Sequence, residues 1–198
     1  MEKCALFDFD GTITGRDTLF DFIKFTYGKR GLIRCLLLNF WNLALYALKL
    51  RSNEKAKEKL LATILKGEDA ILFRERCKRY CEERVPQILS KKTAGLIQQH
   101  KTEGDKLYIV SASPEDWIAP WALANGFTGV IATQLEKKEG KLTGKFSSRN
   151  CYGEEKVNRL KIVFSRRENY YIRAYGDSKG DKSMLGYADE GYFIQDIR

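Results

Sequence analysis

The chain has 198 residues, 43% hydrophobic and 31% charged, with a mean hydropathy of −0.42. That is the composition of a folded protein with a sizeable core, and it excludes a disordered or fibrous chain. The formal charge of +9 would suit anionic partners, but Lys55/Lys57/Lys59, Lys91/Lys92, Lys137/Lys138 and Arg166/Arg167 form separate small groups. None makes a basic arm, which argues against nucleic acid as a partner.

Lys3–Leu6 is apolar enough for a buried strand of an α/β sheet and leads into Phe7-Asp8-Phe9-Asp10-Gly11-Thr12. Strand side chains alternate, so Asp8 and Asp10 leave on one side while Phe7 and Phe9 point to the other. Gly11 permits a sharp turn that returns the Thr12 hydroxyl to the same place. Two carboxylates converging at a buried strand end repel each other and lose water, which a cation relieves. Oxygen-only ligands suit Mg²⁺ and leave one carboxylate able to attack phosphorus. The plainer alternative is a turn in which the acids only cap a loop.

Asp17 or Thr18 is the N-cap candidate of the next helix, and helical patterning without a strand continues to about Arg84. Gly28 and Gly31 punctuate the first helix, and Leu32–Leu50 is a second. Ser52-Asn53-Glu54 opens a third, and Gly67-Glu68-Asp69 a fourth that runs to Pro86. About seventy residues of helix are too many for a simple crossover, so the economical reading is an inserted cap over 16–85. The core domain would then be 1–15 and 86–198.

Leu32–Leu50 is apolar nearly all round, with only fourteen residues between Arg34 and Lys49. A bilayer span wants about twenty, so a transmembrane helix is not expected. The first reading is a helix buried inside the cap. The alternative is an interfacial helix with basic ends, Trp41 and Tyr46, in peripheral contact with a membrane.

Beyond Pro86, strands and helices alternate. Leu89–Thr102 is a helix, Lys106–Ser111 a buried strand, and Ser113-Pro114-Glu115-Asp116 a helix start with Ser113 as N-cap. Val130–Thr133 is a short strand, and Lys138–Lys141 a hairpin tip. Gly153–Lys156 starts a helix, Tyr170–Tyr175 is a strand ending in Gly176-Asp177-Ser178, and 181–188 is helical before a last strand at 191–194. This is the pattern of a parallel sheet covered on both faces.

The single histidine, His100, lies in a polar stretch and reads as a solvated helix-end residue, which disfavours Ser-His-Asp or Cys-His hydrolysis. Five cysteines lack any framework spacing, and Cys77 and Cys81 share a helix face rather than a zinc knuckle. With no secretory pattern at the start of the sequence, a reducing cytosol is the expected compartment.

Three strands end in polar groups at one sheet edge: Asp8/Asp10, Ser111 and Asp177. Ser111 beside a helix headed by Ser113 would make an anion site. Lys156, in the first turn of its helix, is badly placed for the helix dipole but suits a site ammonium. Asp181, four residues after Asp177, faces the same way.

Asp8-Phe9-Asp10-Gly11-Thr12, the strand ending in Ser111-Ala112-Ser113, Lys156, and Gly176-Asp177-Ser178-Lys179-Gly180-Asp181 stand in the order of four known motifs. They are those of the haloacid dehalogenase superfamily, and the chain resembles its phosphoserine-phosphatase-like branch over its whole length. The resemblance implies an α/β fold, a Rossmann-like parallel sheet with an inserted helical cap. It implies Mg²⁺-dependent hydrolysis of a phosphomonoester through an aspartyl-phosphate on Asp8, with Asp10 as general acid and then base. Asp8, the Asp10 carbonyl and Asp177 would hold the metal, and Thr12, Ser111, Ala112 and Lys156 the phosphoryl group. Gly11, Ser178 and Asp181 would support them.

Asp17 stands near the acidic cap residue with which phosphoserine phosphatases bind an amino group, though with a shorter side chain. No cap arginine for a substrate carboxylate stands out. The apolar 32–50 segment is similar to that of family members acting on phosphatidylglycerophosphate (phosphatidylglycerophosphatase C-like). The expected substrate is therefore a small-molecule or lipid phosphate. A non-catalytic phosphate-binding or receiver-like module is the other class. The first would need a lost motif and the second would lack the helical insert, and neither condition is met.

Overall fold

The computed structural model describes residues 1–197. After β1 (Glu2–Phe7) come α1 (Thr18–Leu38), α2 (Phe40–Ala47), α3 (Asn53–Leu65) and α4 (Ala70–Arg79), the last extended by a π turn at Tyr80–Arg84. Then follow α5 (Lys91–Thr102), β2 (Lys106–Pro114), α6 (Ala119–Ala124), β3 (Gly129–Thr133) and the hairpin β4 (Leu135–Lys138) and β5 (Lys141–Phe146). The chain closes with α7 (Glu154–Val163), β6 (Tyr170–Gly176), α8 (Lys182–Tyr187) and β7 (Glu190–Phe193).

β3-β2-β1-β6-β7 form one sheet with every pairing parallel. β1 takes the centre because it is buried on both faces. Ala5 and Phe7 pack with Leu107, Ile109 and Ile97 on one side, and Cys4 and Leu6 pack with Val110, Ile172 and Leu160 on the other. The chain returns to opposite sides of β1 through β2 and β6, so the topological switch point falls at the end of β1, at Asp8.

The helices between β1 and β2 share a core with the sheet. Phe22 of α1 stacks on Trp117 with ring centroids 4.6 Å apart, and Phe73 and Tyr80 meet its edges. The hairpin reaches across to them. Gly144 lies so close to α3 that a Cβ would stand 2.4 Å from the Ala62 Cα. The two chain crossings between sheet and helices are paired, Gly15 N–H donating to Ile88 O at 2.8 Å and Ser90 N–H to Ile13 O at 2.9 Å.

Three expectations change. Leu32–Leu50 is not one buried helix. α1 kinks at Gly28 and continues through Gly31 to Leu38, and a second break falls at Asn39. There the Asn39 amide donates to the Cys35 carbonyl and the Thr63 hydroxyl, competing with the helix ladder. Leu37, Leu38, Phe40 and Trp41 are left exposed, because α3 covers only one side of the corner. Ser113 does not cap a helix, since β2 continues through Pro114 and α6 begins only at Ala119. His100 is not solvated either. It is buried against Phe7, between Asp105 Oδ2 at 2.7 Å and the Tyr175 hydroxyl at 2.8 Å, because α5 turns its last turn onto the sheet.

Candidate active site

The site begins where β1 stops. Asp8 keeps one sheet-like bond, its N–H donating to Tyr175 O at 2.9 Å, and its carboxylate is buried at the sheet edge. Lys156, 1% exposed, places its ammonium 2.6 Å from Asp8 Oδ1, from Asp181 Oδ1 and from the carbonyl of Val110. Three acceptors match its three protons. Its position in the first turn of α7 is unfavourable for the dipole and is outweighed by two carboxylates. Burial alone would lower the Lys156 pKa, but Asp8 and Asp181 raise it above the ordinary value, so the ammonium persists.

Burial pushes the Asp8 carboxyl up, while the Lys156 ammonium beside it pulls it down and favours the carboxylate. Burial and then Asp181 push Asp177 up to about 6. Carboxylate oxygens of Asp8, Asp177 and Asp181 lie within 4.8 Å of one another. Asp181 is already engaged. Its Oδ2 accepts from the N–H groups of Asp177 and Ser178 and from the Ser178 hydroxyl, closing a capping box. It orients the loop and Lys156, while Asp8 and Asp177 keep oxygen atoms facing a common point. A hard cation is what such a crowded, oxygen-only set requires, and the residues fit Mg²⁺. Gly11 completes the cradle. Its φ is +77°, and a Cβ there would come within 2.1 Å of Asp177 Oδ2.

Asp10 is held from both ends. Its Oδ1 accepts from the Thr18 N–H at 2.7 Å and the Thr18 hydroxyl at 2.5 Å, and its Oδ2 from the Ser113 hydroxyl at 2.5 Å. Trp117 Nε1–H donates to the Thr18 hydroxyl at 3.3 Å, fixing it in turn. Asp17, not Thr18, caps α1, accepting from Leu19 N–H at 2.9 Å, and stands at the cavity wall. Burial and the Asp10 carboxylate raise its pKa.

A cavity of about 410 Å³ opens over this edge, lined by Asp8, Asp10, Gly11, Asp17, Ala112, Lys156, Asp177, Ser178 and Asp181. Two expected phosphate ligands stand behind its wall. Ser111 Oγ accepts from Ser113 N–H at 3.1 Å, and the Thr12 hydroxyl is buried without a hydrogen-bond partner among the described residues. Four lining residues carry no signal in the sequence: Arg16, Asn53, Lys57 and Tyr152. Arg16 and Tyr152 come from loops and the other two from α3, and only the folding of α3 over the sheet edge completes the wall. Lys57 donates to the Ala112 carbonyl at 3.4 Å, which ties α3 to the end of β2.

A switch-point cavity with a buried Asp–Lys–Asp cluster and a further, separately held Asp defines a class of hydrolase. The family model of haloacid dehalogenase-like hydrolases matches residues 5–186, and the chain belongs to that family. Protein CicA of Caulobacter vibrioides is 34% identical over 190 residues, across 95% of this chain and 84% of that one. The histidinol-phosphatase of Neisseria meningitidis serogroup C is 28% identical over 203 residues, across 96% and 89%. A solved phosphoserine phosphatase, described as a phospho-aspartyl intermediate analogue, superposes with a TM-score of 0.65 at 20% identity, across 97% and 85%. The fold is that of the phosphoserine-phosphatase-like branch, and the chain is a haloacid dehalogenase-like hydrolase.

Proposed function

We propose that the chain is a Mg²⁺-dependent phosphomonoesterase working through an aspartyl-phosphate on Asp8. The observation that carries this is the Asp8 carboxylate at the cavity floor, with the Lys156 ammonium 2.6 Å away and Asp177 beside it. An Asp8 oxygen forms a bond to phosphorus as the ester P–O bond breaks, and Asp10 gives its proton to the departing alkoxide. That proton sits best on Oδ2, where the Ser113 hydroxyl can turn from donor to acceptor. Asp10 then takes a proton from a water that attacks the same phosphorus, releasing phosphate and restoring Asp8. Lys156 neutralises the nucleophile's side of the transferring group, and Gly11 and Ala112 line the same cavity. Mg²⁺ held by Asp8 and Asp177 would neutralise the phosphoryl oxygens.

Arg16 and Lys57 on the cavity wall favour a substrate that carries a second anionic group beyond the phosphate. A soluble phosphorylated metabolite and a lipid phosphate both meet that description. The exposed apolar corner between α1 and α2 favours the lipid. The five cysteines, free and buried, suit the cytosolic placement we propose.

The test is turnover of p-nitrophenyl phosphate by wild type and by Asp8→Asn, with Mg²⁺ and with chelator. Loss of turnover in Asp8→Asn and in chelator is expected. Undiminished turnover in the variant would remove Asp8 as nucleophile.

A further inference from the structure

The outer edge of the cap carries a surface that the fold does not use. Around the corner at Asn39, the side chains of Leu37, Leu38, Phe40, Trp41, Leu48 and Leu50 stand in solvent, Trp41 77% and Leu50 74% exposed. Phe40 and Trp41 meet edge to face with ring centroids 5.3 Å apart, and clustered exposed apolar side chains of this kind mark an interaction surface. The inward side of the same turns is spoken for. Cys35 and Asn39 face α3, and the Asn42 amide donates to the Ala56 carbonyl at 2.9 Å. The two asparagines, which would be costly in hydrocarbon, therefore lie on the protein side of the corner.

Charge follows the same surface. From Phe22 to Asn53 there is no Asp or Glu, while Lys24, Lys29, Arg30, Arg34, Lys49 and Arg51 supply six positive charges. No acid within this segment offsets those six charges, and Arg34 and Lys49 flank the exposed apolar residues in sequence. A second copy of this chain fits poorly, because a symmetric contact would set these bases against themselves. No helix among the described residues is long and apolar enough to cross a membrane, so a span is not the use either.

We propose that the α1–α2 corner docks on an anionic bilayer surface, its apolar side chains reaching the headgroup–acyl boundary and its basic rim meeting the lipid phosphates. Docking there would also bring the cavity to the membrane. The Tyr46 hydroxyl on α2 accepts from Asn53 Nδ2 at 2.9 Å, and Asn53 lines the cavity with Asp8 and Lys57. Membrane binding is read without turnover, so it stands or falls separately from the aspartyl-phosphate reading.

The experiment uses the whole chain with phosphatidylglycerol/phosphatidylcholine vesicles, and pure phosphatidylcholine vesicles as control. Of three tryptophans, Trp117 and Trp121 are buried, so a shift of emission to shorter wavelength reports Trp41. Co-sedimentation and that shift are expected with the anionic vesicles, weakening as salt rises. Trp41→Ser should lower the partition coefficient about tenfold, the loss of one large inserted side chain. Its melting temperature and its turnover of p-nitrophenyl phosphate should not change. Arg34→Glu should weaken binding to the anionic vesicles alone. Absence of wild-type binding at low salt would overturn the proposal. So would binding unaffected by both substitutions, or a concentration-dependent dimer that Trp41→Ser dissociates.

Discussion

Ser113 Oγ stands 2.5 Å from Asp10 Oδ2, while Thr18 holds the other oxygen of that carboxylate through both its N–H and its hydroxyl. Thr18 belongs to the first turn of α1 and Ser113 to the end of β2, so α1 and the sheet jointly set the orientation of the Asp10 carboxylate. Ser113→Ala removes the hydroxyl that contacts Asp10 Oδ2, and under the proposed mechanism that contact serves the proton transfer. Turnover of an alkyl phosphate should fall about tenfold, while an aryl phosphate with a good leaving group should change little. Comparing kcat/KM for the two substrates checks this, and equal losses on both would assign Ser113 a merely structural role.

Lys156 is the buried counter-charge of two carboxylates. Lys156→Met keeps much of the volume but leaves Asp8 and Asp181 facing each other without a cation. The cost should be about 3–5 kcal/mol of stability, as for other buried pairs broken on one side. Urea unfolding of the single variant and of Asp8→Asn/Lys156→Met measures it, and the double variant should recover part of the loss. A single variant as stable as wild type would contradict the charged state assigned to the pair.

At Gly11 the backbone and Asp177 leave no room for a methyl group. Gly11→Ala should displace the Asp177 carboxylate without unfolding the sheet. The Mg²⁺ concentration giving half-maximal turnover should rise roughly tenfold, the scale seen when groups that orient metal ligands are altered. A Mg²⁺ titration of turnover decides it, and an unchanged titration would take Asp177 out of the metal set.

Asp21 on α1 and Arg84 in the π turn that extends α4 form a two-pronged pair, with Nε at 2.8 Å and Nη2 at 2.7 Å from the carboxylate. Burial pushes the Asp21 carboxyl up, but the Arg84 fork and the Tyr80 hydroxyl more than reverse this and hold it below its usual value. A depressed folded-state pKa contributes stability above the unfolded value of about 3.9 and loses it as pH falls through the folded value. Thermal melts below about pH 4 should therefore show wild type losing its advantage over Asp21→Asn, an advantage fully present at pH 6. Parallel melting curves across that range would refute the linkage.

The motif chemistry is legible in the sequence because it is short-range. Asp8 follows directly on the apolar run of β1, Gly11 turns the chain, and Asp177 follows directly on β6, so both carboxylates stand at the sheet edge. His100 and Ser113 are illegible there for the opposite reason. Their sequence neighbours are polar or helix-forming, while their roles come from contact with Tyr175 and Asp10, 75 and 103 residues away.

Local sequence is enough to specify the acidic turn after β1 and the parallel sheet whose edge carries it. Each depends on short-range periodicity and on hydrophobic burial that any packing of these strands would satisfy. Which residues wall the cavity, and which apolar face of 32–50 stays uncovered, depends instead on how the helices pack in three dimensions. Lys57 joins the cavity wall because α3 folds over the sheet edge, and Trp41 remains in solvent because α3 is broad enough to cover only the Cys35–Asn39–Asn42 side of the corner. Helical periodicity shows that a segment is apolar on several sides, and only the partner that packs against it determines which side is left for something else.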